Sequence, residues 1–285
     1  MKTTIKCLVV TALFTLIATK VTTVKADEWR KLDLQNTVLL TLPHGKVVIE
    51  LAPQFAPKNV AQFQQLTRSG HYNGNKFYRV IDGFVAQGGP KDGSKVDKAV
   101  AQLVLEGEFS VDENFTFTQV QTNDMFVEQT GFKDGFALGL DTKEQKAWML
   151  HCPGIIAMAR TTAADTATSH FYITNGQATR YLDRLMTVFG RVVYGMNHIQ
   201  AIKRTDAIKG DTPISEEEYT PMISMQLMSD VPEKDRIIIE VANTNTDEYR
   251  KKLAKRRARE NAFFFKKPPP VLDICQTPVA SRLVK

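Results

Sequence analysis

The stretch Phe77-Tyr-Arg-Val-Ile-Asp-Gly-Phe-Val-Ala-Gln-Gly-Gly-Pro90 decides how the rest of this chain is interpreted. It contains two apolar runs separated by an Asp82-Gly83 turn signal, which predicts two short strands. Strict alternation along the first strand places Phe77, Arg79 and Ile81 on one face. An arginine in so apolar a strand is costly to bury without a partner. Arg79 is therefore either a side chain that extends to the surface or a functional residue.

Similar strand-like runs, many of them bounded by Gly, Pro, Asn or Asp, occur along the chain. The predicted strands are Val38–Leu42, Lys46–Leu51, Lys76–Ile81, Phe84–Gln87, Gly154–Ala159, His170–Thr174, Thr187–Tyr194, Met222–Met228 and Arg236–Val241. Two stretches have helical spacing instead: Pro57–Ser69, which begins with proline and stops at a glycine, and the shorter Met196–Lys203. Many short strands with two helices predict a mainly β fold, a closed or nearly closed antiparallel barrel plugged by helices.

The opening stretch resembles the central signature of the cyclophilin-type peptidyl-prolyl isomerases, F-x-R-[IV]-I-x-G-F-x-x-Q-G-G. Further matches follow in the family's order at 154–159, 170–173, 181–183, 188–192 and 195–196. Order and spacing agree over about residues 36–229, apart from one insert. The resemblance implies a closed eight-stranded cyclophilin-like barrel with two capping helices. It also implies an enzyme that isomerises X–Pro bonds in proline-containing polypeptides, without a metal or cofactor.

The resemblance assigns a role to each matched residue. Arg79 corresponds to the family's catalytic arginine, and Gln87 to the polar side chain that binds near the prolyl carbonyl. The apolar wall that receives the substrate proline corresponds to Phe84, Val85, Tyr172, Leu182 and Met186. The strand that pairs with the substrate backbone corresponds to Ala159 and Arg160, and the substrate-binding set is completed by His170 and Tyr181.

Several of these positions depart from the family's usual residues. His170 replaces Gln, Tyr172 replaces Phe, and Met186 replaces His. Tyr181 stands where many members carry Trp, and Arg160 where a small polar residue is commoner. Because Arg79, Phe84 and Gln87 are intact, we expect activity. The replacements keep an alternative open, a low-activity proline-peptide binding module or chaperone.

Other enzymatic motifs are missing from the sequence. It contains no GxSxG elbow, no GxxxxGK[ST] loop, no GxGxxG after a strand and no HExxH pair. Its five histidines are scattered, and none has metal-ligand spacing with another His or Cys. Rotation about an X–Pro bond breaks no covalent bond and requires neither nucleophile nor metal, so the missing motifs agree with the resemblance.

The N-terminus predicts export. Lys2 and Lys6 precede an apolar stretch from Cys7 to Ala18, and small residues precede Asp27, so residues 1–26 are typical of a secretory signal peptide. We therefore expect export through the general pathway, with the periplasm as destination. No apolar run reaches the roughly 18 residues that a transmembrane helix needs.

The remaining sequence divides into a domain and an extension. Residues 27–231 are predicted to form the isomerase domain, with an insert at about 117–148. Gly131, Gly135 and Gly139 recur in that insert at four-residue spacing, so we expect it to be loop-rich. Residues 232–285 are predicted to form a C-terminal extension with a basic stretch.

Charge is concentrated in that extension. The formal net charge is +6, and four lysines leave with residues 1–26. The stretch Tyr249–Lys267 carries nine Lys or Arg and one Glu. We expect no nucleic-acid partner for an exported chain. Two interpretations stay open: a basic segment that is solvated or packs against the domain, or one that contacts an anionic surface such as lipid.

Two cysteines remain after export, Cys152 and Cys275. They could pair in an oxidising compartment or remain as buried thiols, since spacing alone decides neither. The apolar residues around Cys275 lead us to expect that it lies against the barrel, close to Cys152.

Overall fold

A computed structural model describes residues 28–90, 94–204 and 214–284. In chain order its strands are β1 (Trp29–Lys31), β2 (Thr37–Leu42), β3 (Gly45–Leu51), β4 (Lys76–Val80), β5 (Val85–Gly89), β6 (Phe109–Ser110), β7 (Thr118–Thr122), β8 (Gln129–Lys133), β9 (Phe136–Asp141), β10 (Lys146–Met149), β11 (Ile155–Met158), β12 (Phe171–Thr174), β13 (Val188–Tyr194), β14 (Thr220–Pro221), β15 (Ser224–Leu227), β16 (Ile239–Ala242) and β17 (Ser281–Leu283). The helices are α1 (Pro57–Arg68), α2 (Lys95–Lys98), α3 (Met196–Gln200) and α4 (Asp247–Ala258). The predicted signal peptide lies outside the described residues.

Nine strands form the main sheet, in the order β14-β4-β5-β12-β11-β13-β3-β2-β15, and every pairing is antiparallel. The mainly β fold is therefore confirmed, but the expected closed eight-stranded barrel is not what the ladder forms. The two edge strands are consecutive in the chain and only Met222 and Ile223 separate them. Because the chain bends there, one stretch pairs first with β4 and then with β2, and this produces nine strands in a curled sheet.

Both predicted helices of the isomerase domain are present. Pro57 opens α1, and the helix directs Val60 and Phe63 into the interior of the main sheet. The ring of Phe63 lies 4.9 Å from that of Phe189, between centroids. The second predicted helix is α3, which buries Ile199 but ends at Gln200, three residues before the predicted end. Two further α-helices, α2 and α4, bring the number of α-helices in the described residues to four.

The insert forms a second sheet, so the expectation of a loop-rich segment was wrong. Its strands lie in the order β6-β10-β9-β8-β7. Only Gly135 of the three glycines sits in a turn, with a φ of +84°. Gly131 lies within β8, where a Cβ would come 2.3 Å from the ring of Phe117. Gly139 lies within β9 against Trp148. These two glycines admit aromatic rings against the strands instead of interrupting them.

The C-terminal extension folds back onto this second sheet. Tyr249 and Leu253 of α4 pack with Trp148 and Leu272 in one apolar cluster. A third sheet, in the order β1-β16-β17, joins the N-terminal residues of the predicted isomerase domain to the extension. The predicted boundary at residue 231 is therefore crossed by strand pairing. Among the described residues, no helix is long and apolar enough to cross a membrane.

A disulfide bond between Cys152 and Cys275 links the extension to the rest of the molecule. Of the two alternatives left open by the sequence, the structure therefore has the paired cysteines. The bond joins residues 123 positions apart. The expectation that Cys275 lies close to Cys152 is confirmed.

Candidate functional site

A β-bulge in β4 delivers the key arginine to the outside of the main sheet. The pairing register with β5 skips from Phe77 to Arg79, which leaves Tyr78 as the extra residue. Phe77 and Val80 consequently point into the sheet interior, and both belong to its apolar core. Arg79 is half-buried on the other face. The strict alternation that placed Phe77 and Arg79 on one face was wrong, because the bulge shifts side-chain direction by one position.

Cross-strand pairing aligns the site in a row over four strands. Arg79 of β4 pairs with Gln87 of β5, which pairs with Tyr172 of β12. Tyr172 pairs in turn with Ala157 of β11. Directly paired residues in adjacent strands lie about 4.5–5.5 Å apart and share a face of the sheet. The fold therefore brings together Arg79, Gln87 and Tyr172, which are up to 93 positions apart in the chain.

Hydrogen bonds orient the polar side chains of this row. Nη1 of Arg79 donates to Oε1 of Gln87 at 3.4 Å, and Nε2 of Gln87 donates to the Tyr78 hydroxyl at 2.9 Å. The same hydroxyl lies 2.7 Å from Nδ1 of His170. Gln87 thus presents its carbonyl oxygen to the guanidinium and its amide nitrogen to the tyrosine. The arrangement holds the Arg79 guanidinium at one end of a four-residue polar chain.

An apolar cluster adjoins the polar chain and contains five of the residues predicted to bind substrate. These residues are Phe84, Val85, Ala159, Tyr172 and Met186. The second sheet supplies further members, Phe136 and Leu138 of β9. The insert therefore packs against the apolar cluster that contains these five residues.

Tyr172 connects the apolar cluster to buried polar groups. Its hydroxyl lies 2.9 Å from Nε2 of His151, whose Nδ1 lies 3.1 Å from Oδ1 of Asp183. Nε of Arg180 donates to the other carboxylate oxygen at 2.5 Å. A carboxylate accepts hydrogen bonds, so a neutral His151 carries its proton on Nδ1 and accepts from Tyr172. Burial raises the pKa of Tyr172 well above its usual range, and Asp183 raises it further.

The same contacts secure the segment that carries Tyr181 and Leu182. His151 donates its backbone N–H to Asp183 at 2.8 Å, and its carbonyl accepts from Thr179 at 3.0 Å. Leu182 is half-buried between these anchors, while Tyr181 is 64% exposed. The two predicted residues are thus fixed by their neighbours, although neither belongs to the apolar cluster around Tyr172.

Arg160 has a different environment from the one that the substrate-strand prediction suggests. Its Nε and Nη2 donate to the Leu185 carbonyl at 3.0 and 2.9 Å, and Nη1 donates to the carbonyls of Thr161 and Thr162. The guanidinium thus joins two loops. Arg160 also borders a groove of about 570 Å³. The groove is further lined by Tyr78, Gln87, Ala159 and His170.

Comparison with known proteins identifies the family. The profile described as "Cyclophilin type peptidyl-prolyl cis-trans isomerase/CLD" matches residues 37–225. This chain belongs to the cyclophilin-type peptidyl-prolyl cis-trans isomerases. It is 33% identical over 174 residues to a probable peptidyl-prolyl cis-trans isomerase of Brucella suis, which covers 60% of this chain and 74% of the relative. It is 28% identical to the human peptidyl-prolyl cis-trans isomerase-like 1, over 67% of this chain and 90% of that protein.

A solved structure extends this similarity. The cyclophilin AquaCyp293 from Hirschia baltica superimposes with a TM-score of 0.72 at 27% identity. The match covers 90% of this chain and 93% of that one. Such coverage exceeds residues 37–225, so part of the similarity lies outside the stretch that defines the family. The chain is therefore a cyclophilin-type isomerase with additional structure that another cyclophilin shares.

Two groups of residues in this cyclophilin were not predicted from the sequence. Tyr78 was overlooked because strict alternation pointed it away from Arg79, and only the bulge returns it to the site. His151 and Asp183 were overlooked because they lie 32 positions apart. One signal was available, since Tyr172 in place of the family's usual Phe adds a buried hydroxyl that requires a partner. Among the described residues, no group of His, Cys, Asp and Glu is arranged to hold a metal ion.

Proposed function

We propose that this cyclophilin is exported and isomerises X–Pro bonds during the folding of secreted or periplasmic proteins, with Arg79 as its catalytic residue. The observation that carries the proposal is the cross-strand row, in which Arg79 and Gln87 adjoin the apolar cluster around Tyr172. A cationic donor next to an apolar wall suits the two demands of this reaction. The wall holds the proline ring, and the donor stabilises charge that develops on its nitrogen.

The reaction requires rotation about a partial double bond. The barrier of an X–Pro amide is about 18–20 kcal/mol because rotation breaks the amide resonance. As the bond twists, the prolyl nitrogen becomes pyramidal and gains a localised lone pair. A group that binds this lone pair stabilises the twisted state more than either planar isomer, and that difference is what accelerates the reaction.

Arg79 fits this role because its guanidinium stays charged and offers a rigid fork of donors. A charge-assisted hydrogen bond contributes about 1.5–3 kcal/mol. If it forms only in the twisted state, it accounts for about tenfold to hundredfold in rate. Gln87, held by Tyr78, keeps the guanidinium in place and presents polar atoms to the substrate backbone. The remaining acceleration comes from the apolar wall, which can desolvate the amide.

Replacement of Arg79 tests the catalytic assignment. We expect Arg79→Ala and Arg79→Lys each to lower kcat/KM by at least about tenfold, because both remove the planar fork of donors. The measurement is a protease-coupled assay on X–Pro peptides, with circular dichroism to show that the fold is retained. Arg68→Ala is the matched control, since Arg68 lies on α1 and pairs with Asp230 at the surface. Near-wild-type turnover of the Arg79 variants would contradict the assignment.

Export is supported by two independent features. The first 26 residues have the sequence of a secretory signal peptide. Disulfides such as Cys152–Cys275 are characteristic of oxidising compartments outside the cytoplasm. When the full chain is expressed in a Gram-negative host, we expect the periplasmic fraction to contain protein that begins at Asp27. A chain that stays unprocessed in the cytoplasm would reject this part of the proposal.

The alternative function is a proline-peptide binding module that turns substrate over slowly. It is favoured by the hydroxyl of Tyr172, which ties the wall to His151, and by the unusual His170 and Met186. The same peptide series separates the two functions. An isomerase accelerates cis–trans exchange of the peptide at catalytic concentrations. A binding module binds the peptide in an equilibrium measurement but does not accelerate the exchange.

A further inference from the structure

The C-terminal extension presents a basic and aromatic loop to solvent, and the residues before and after that loop are firmly attached. Before it, α4 buries Tyr249 and Leu253, and Nη2 of Arg256 donates to the Gln276 carbonyl at 2.6 Å. After it, Leu272 is buried, and Cys275 is joined to Cys152. Residues 259–271, here called the tail loop, therefore project from a fixed base.

Two phenylalanines of the tail loop are largely exposed to solvent. Phe263 is 80% exposed and Phe265 is 89% exposed. Phe264, between them, packs locally: its ring lies 5.3 Å from that of Phe263 and 5.4 Å from the guanidinium carbon of Arg259. Exposed large apolar side chains that cluster in this way mark a contact surface, in contrast to apolar residues scattered singly over a surface.

Positive charge flanks these rings along the chain. Arg259 contacts Phe264, and the exposed Lys266 and Lys267 follow Phe265 directly. Lys255 is exposed one helical turn before Arg259. Glu260 is the only acidic residue between 255 and 267. The acidic residues that offset the positive charge of α4 lie at the start of the helix, where Asp247 and Glu248 pair with Arg250 and Lys251.

The tail loop is also stiffened on its C-terminal side. Three consecutive prolines, 268–270, fix their own φ angles and favour an extended chain that loses little entropy on binding. The loop can thus present its rings and lysines without a folding step. Since residues on both sides are anchored, contact with a surface would hold the whole enzyme there.

We propose that the tail loop docks this enzyme onto an anionic lipid surface. The phenylalanines enter the boundary between headgroups and acyl chains, while Arg259, Lys266 and Lys267 contact the negative headgroups. The composition favours lipid over a protein partner. Lysine is depleted at protein–protein interfaces, whereas basic side chains beside exposed aromatics are typical of segments that lie in a membrane interface.

Vesicle binding by the exported form, residues 27–285, tests the proposal. Sedimentation is measured with vesicles of phosphatidylcholine alone and with vesicles containing 30% phosphatidylglycerol. We expect partition into the anionic vesicles to be at least about tenfold stronger at low salt, and to fall steeply as salt screens the lysines. Inorganic phosphate, matched in ionic strength to a chloride control, should not displace the protein, because the lipid surface is the ligand and not a single phosphate.

Variants separate the two contributions. Lys266→Glu/Lys267→Glu should reduce anionic partition at least about tenfold at low salt. Phe263→Ser/Phe265→Ser should reduce it at all salt concentrations, because the loss is apolar. Met125→Ser and Lys143→Glu are the matched controls, since both residues are exposed outside the tail loop. Isomerase activity on a short X–Pro peptide should persist in every variant, which distinguishes lost docking from lost folding.

Several results would overturn the proposal. Equal partition into neutral and anionic vesicles would exclude the electrostatic contribution, and unchanged partition of the tail-loop variants would place the contact elsewhere. If the wild-type protein does not bind anionic vesicles but binds a single-stranded oligonucleotide or another protein, the tail loop serves that other partner and the proposal is wrong.

Discussion

The main sheet and the apolar cluster that attaches the C-terminal extension are stabilised in different ways. The main sheet has an interior in which Phe63, Phe77 and Phe171 are fully buried, and hairpins join two of its neighbouring strand pairs, β2–β3 and β4–β5. The extension cluster combines Trp148 with Tyr249 and Leu253, from segments about a hundred positions apart. It contains fewer buried residues and one covalent cross-link. From this difference we expect that the main sheet is stable through packing, whereas the extension relies on its disulfide.

The largest expected effect follows from removal of that disulfide. If the extension stayed stable without the bond, the contrast between the two regions would be wrong. Cross-linking residues 123 positions apart lowers the entropy of the unfolded chain. By the entropy of loop closure alone, the bond contributes about 4–5 kcal/mol to the free energy of unfolding. We expect Cys152→Ala/Cys275→Ala to lose an amount of that order in chemical denaturation. Limited proteolysis should then cleave at residues 259–271 first.

Reduction of the wild-type protein is the control for this variant. It should reproduce both the lower stability and the faster cleavage, because it removes the same bond without changing side-chain volume. Identical unfolding curves for wild type and variant would mean that packing around Leu253 and Leu272 suffices to hold the extension.

An intermediate effect is expected from Tyr172→Phe. This change tests how much the polar contact between Tyr172 and His151 adds to the stability that packing gives the main sheet. The change keeps the ring in the apolar cluster but leaves Nε2 of buried His151 without its partner. We expect a loss of about 1–3 kcal/mol in the free energy of unfolding. The segment that carries Leu182 should also be held less rigidly, which should raise KM. Each 1 kcal/mol of lost transition-state stabilisation lowers kcat/KM about fivefold.

The pH dependence of stability distinguishes this contact from simple packing. Below pH 10, Tyr172 is protonated in both the folded and the unfolded chain, so its contribution is fully present. Above pH 10 it ionises when unfolded, while burial keeps it protonated when folded. The unfolded state then binds fewer protons, and the contribution of Tyr172 to the free energy of unfolding falls by about 1.4 kcal/mol per pH unit. Wild type and Tyr172→Phe should therefore converge above pH 10, and a constant difference would reject the buried hydroxyl as the cause.

The smallest effect is expected at Arg160, where the guanidinium joins two loops beside the groove. Arg160→Ala removes its bonds to the Leu185 carbonyl and to the Thr161 and Thr162 carbonyls. Those carbonyls lie near solvent, which compensates for much of the loss, so we expect about 1 kcal/mol in the free energy of unfolding. Arg160→Lys, which keeps the charge but not the fork, should behave like alanine in thermal unfolding. Full rescue by lysine would show that charge alone matters there.

The sequence by itself determined the family, most strands and which arginine we propose as the catalytic residue. These features depend on local order: hairpin turns, apolar runs and a signature contained in fourteen consecutive residues, 77–90. Helix α1 was predictable for the same reason, since its proline start and its glycine stop are adjacent to its apolar stripe. The sequence also marked residues 117–148 as distinct, although it did not predict their second sheet.

Only the tertiary structure decided which distant groups meet. The bulge that turns Tyr78 and Arg79 outward depends on pairing with β5. The apolar–polar periodicity of one strand contains no information about that pairing. The contacts from Tyr172 through His151 to Asp183, and the bond from Cys152 to Cys275, join residues that no local pattern relates. Local propensities act over a few residues, whereas such contacts form only after the sheets have fixed the positions of their strands.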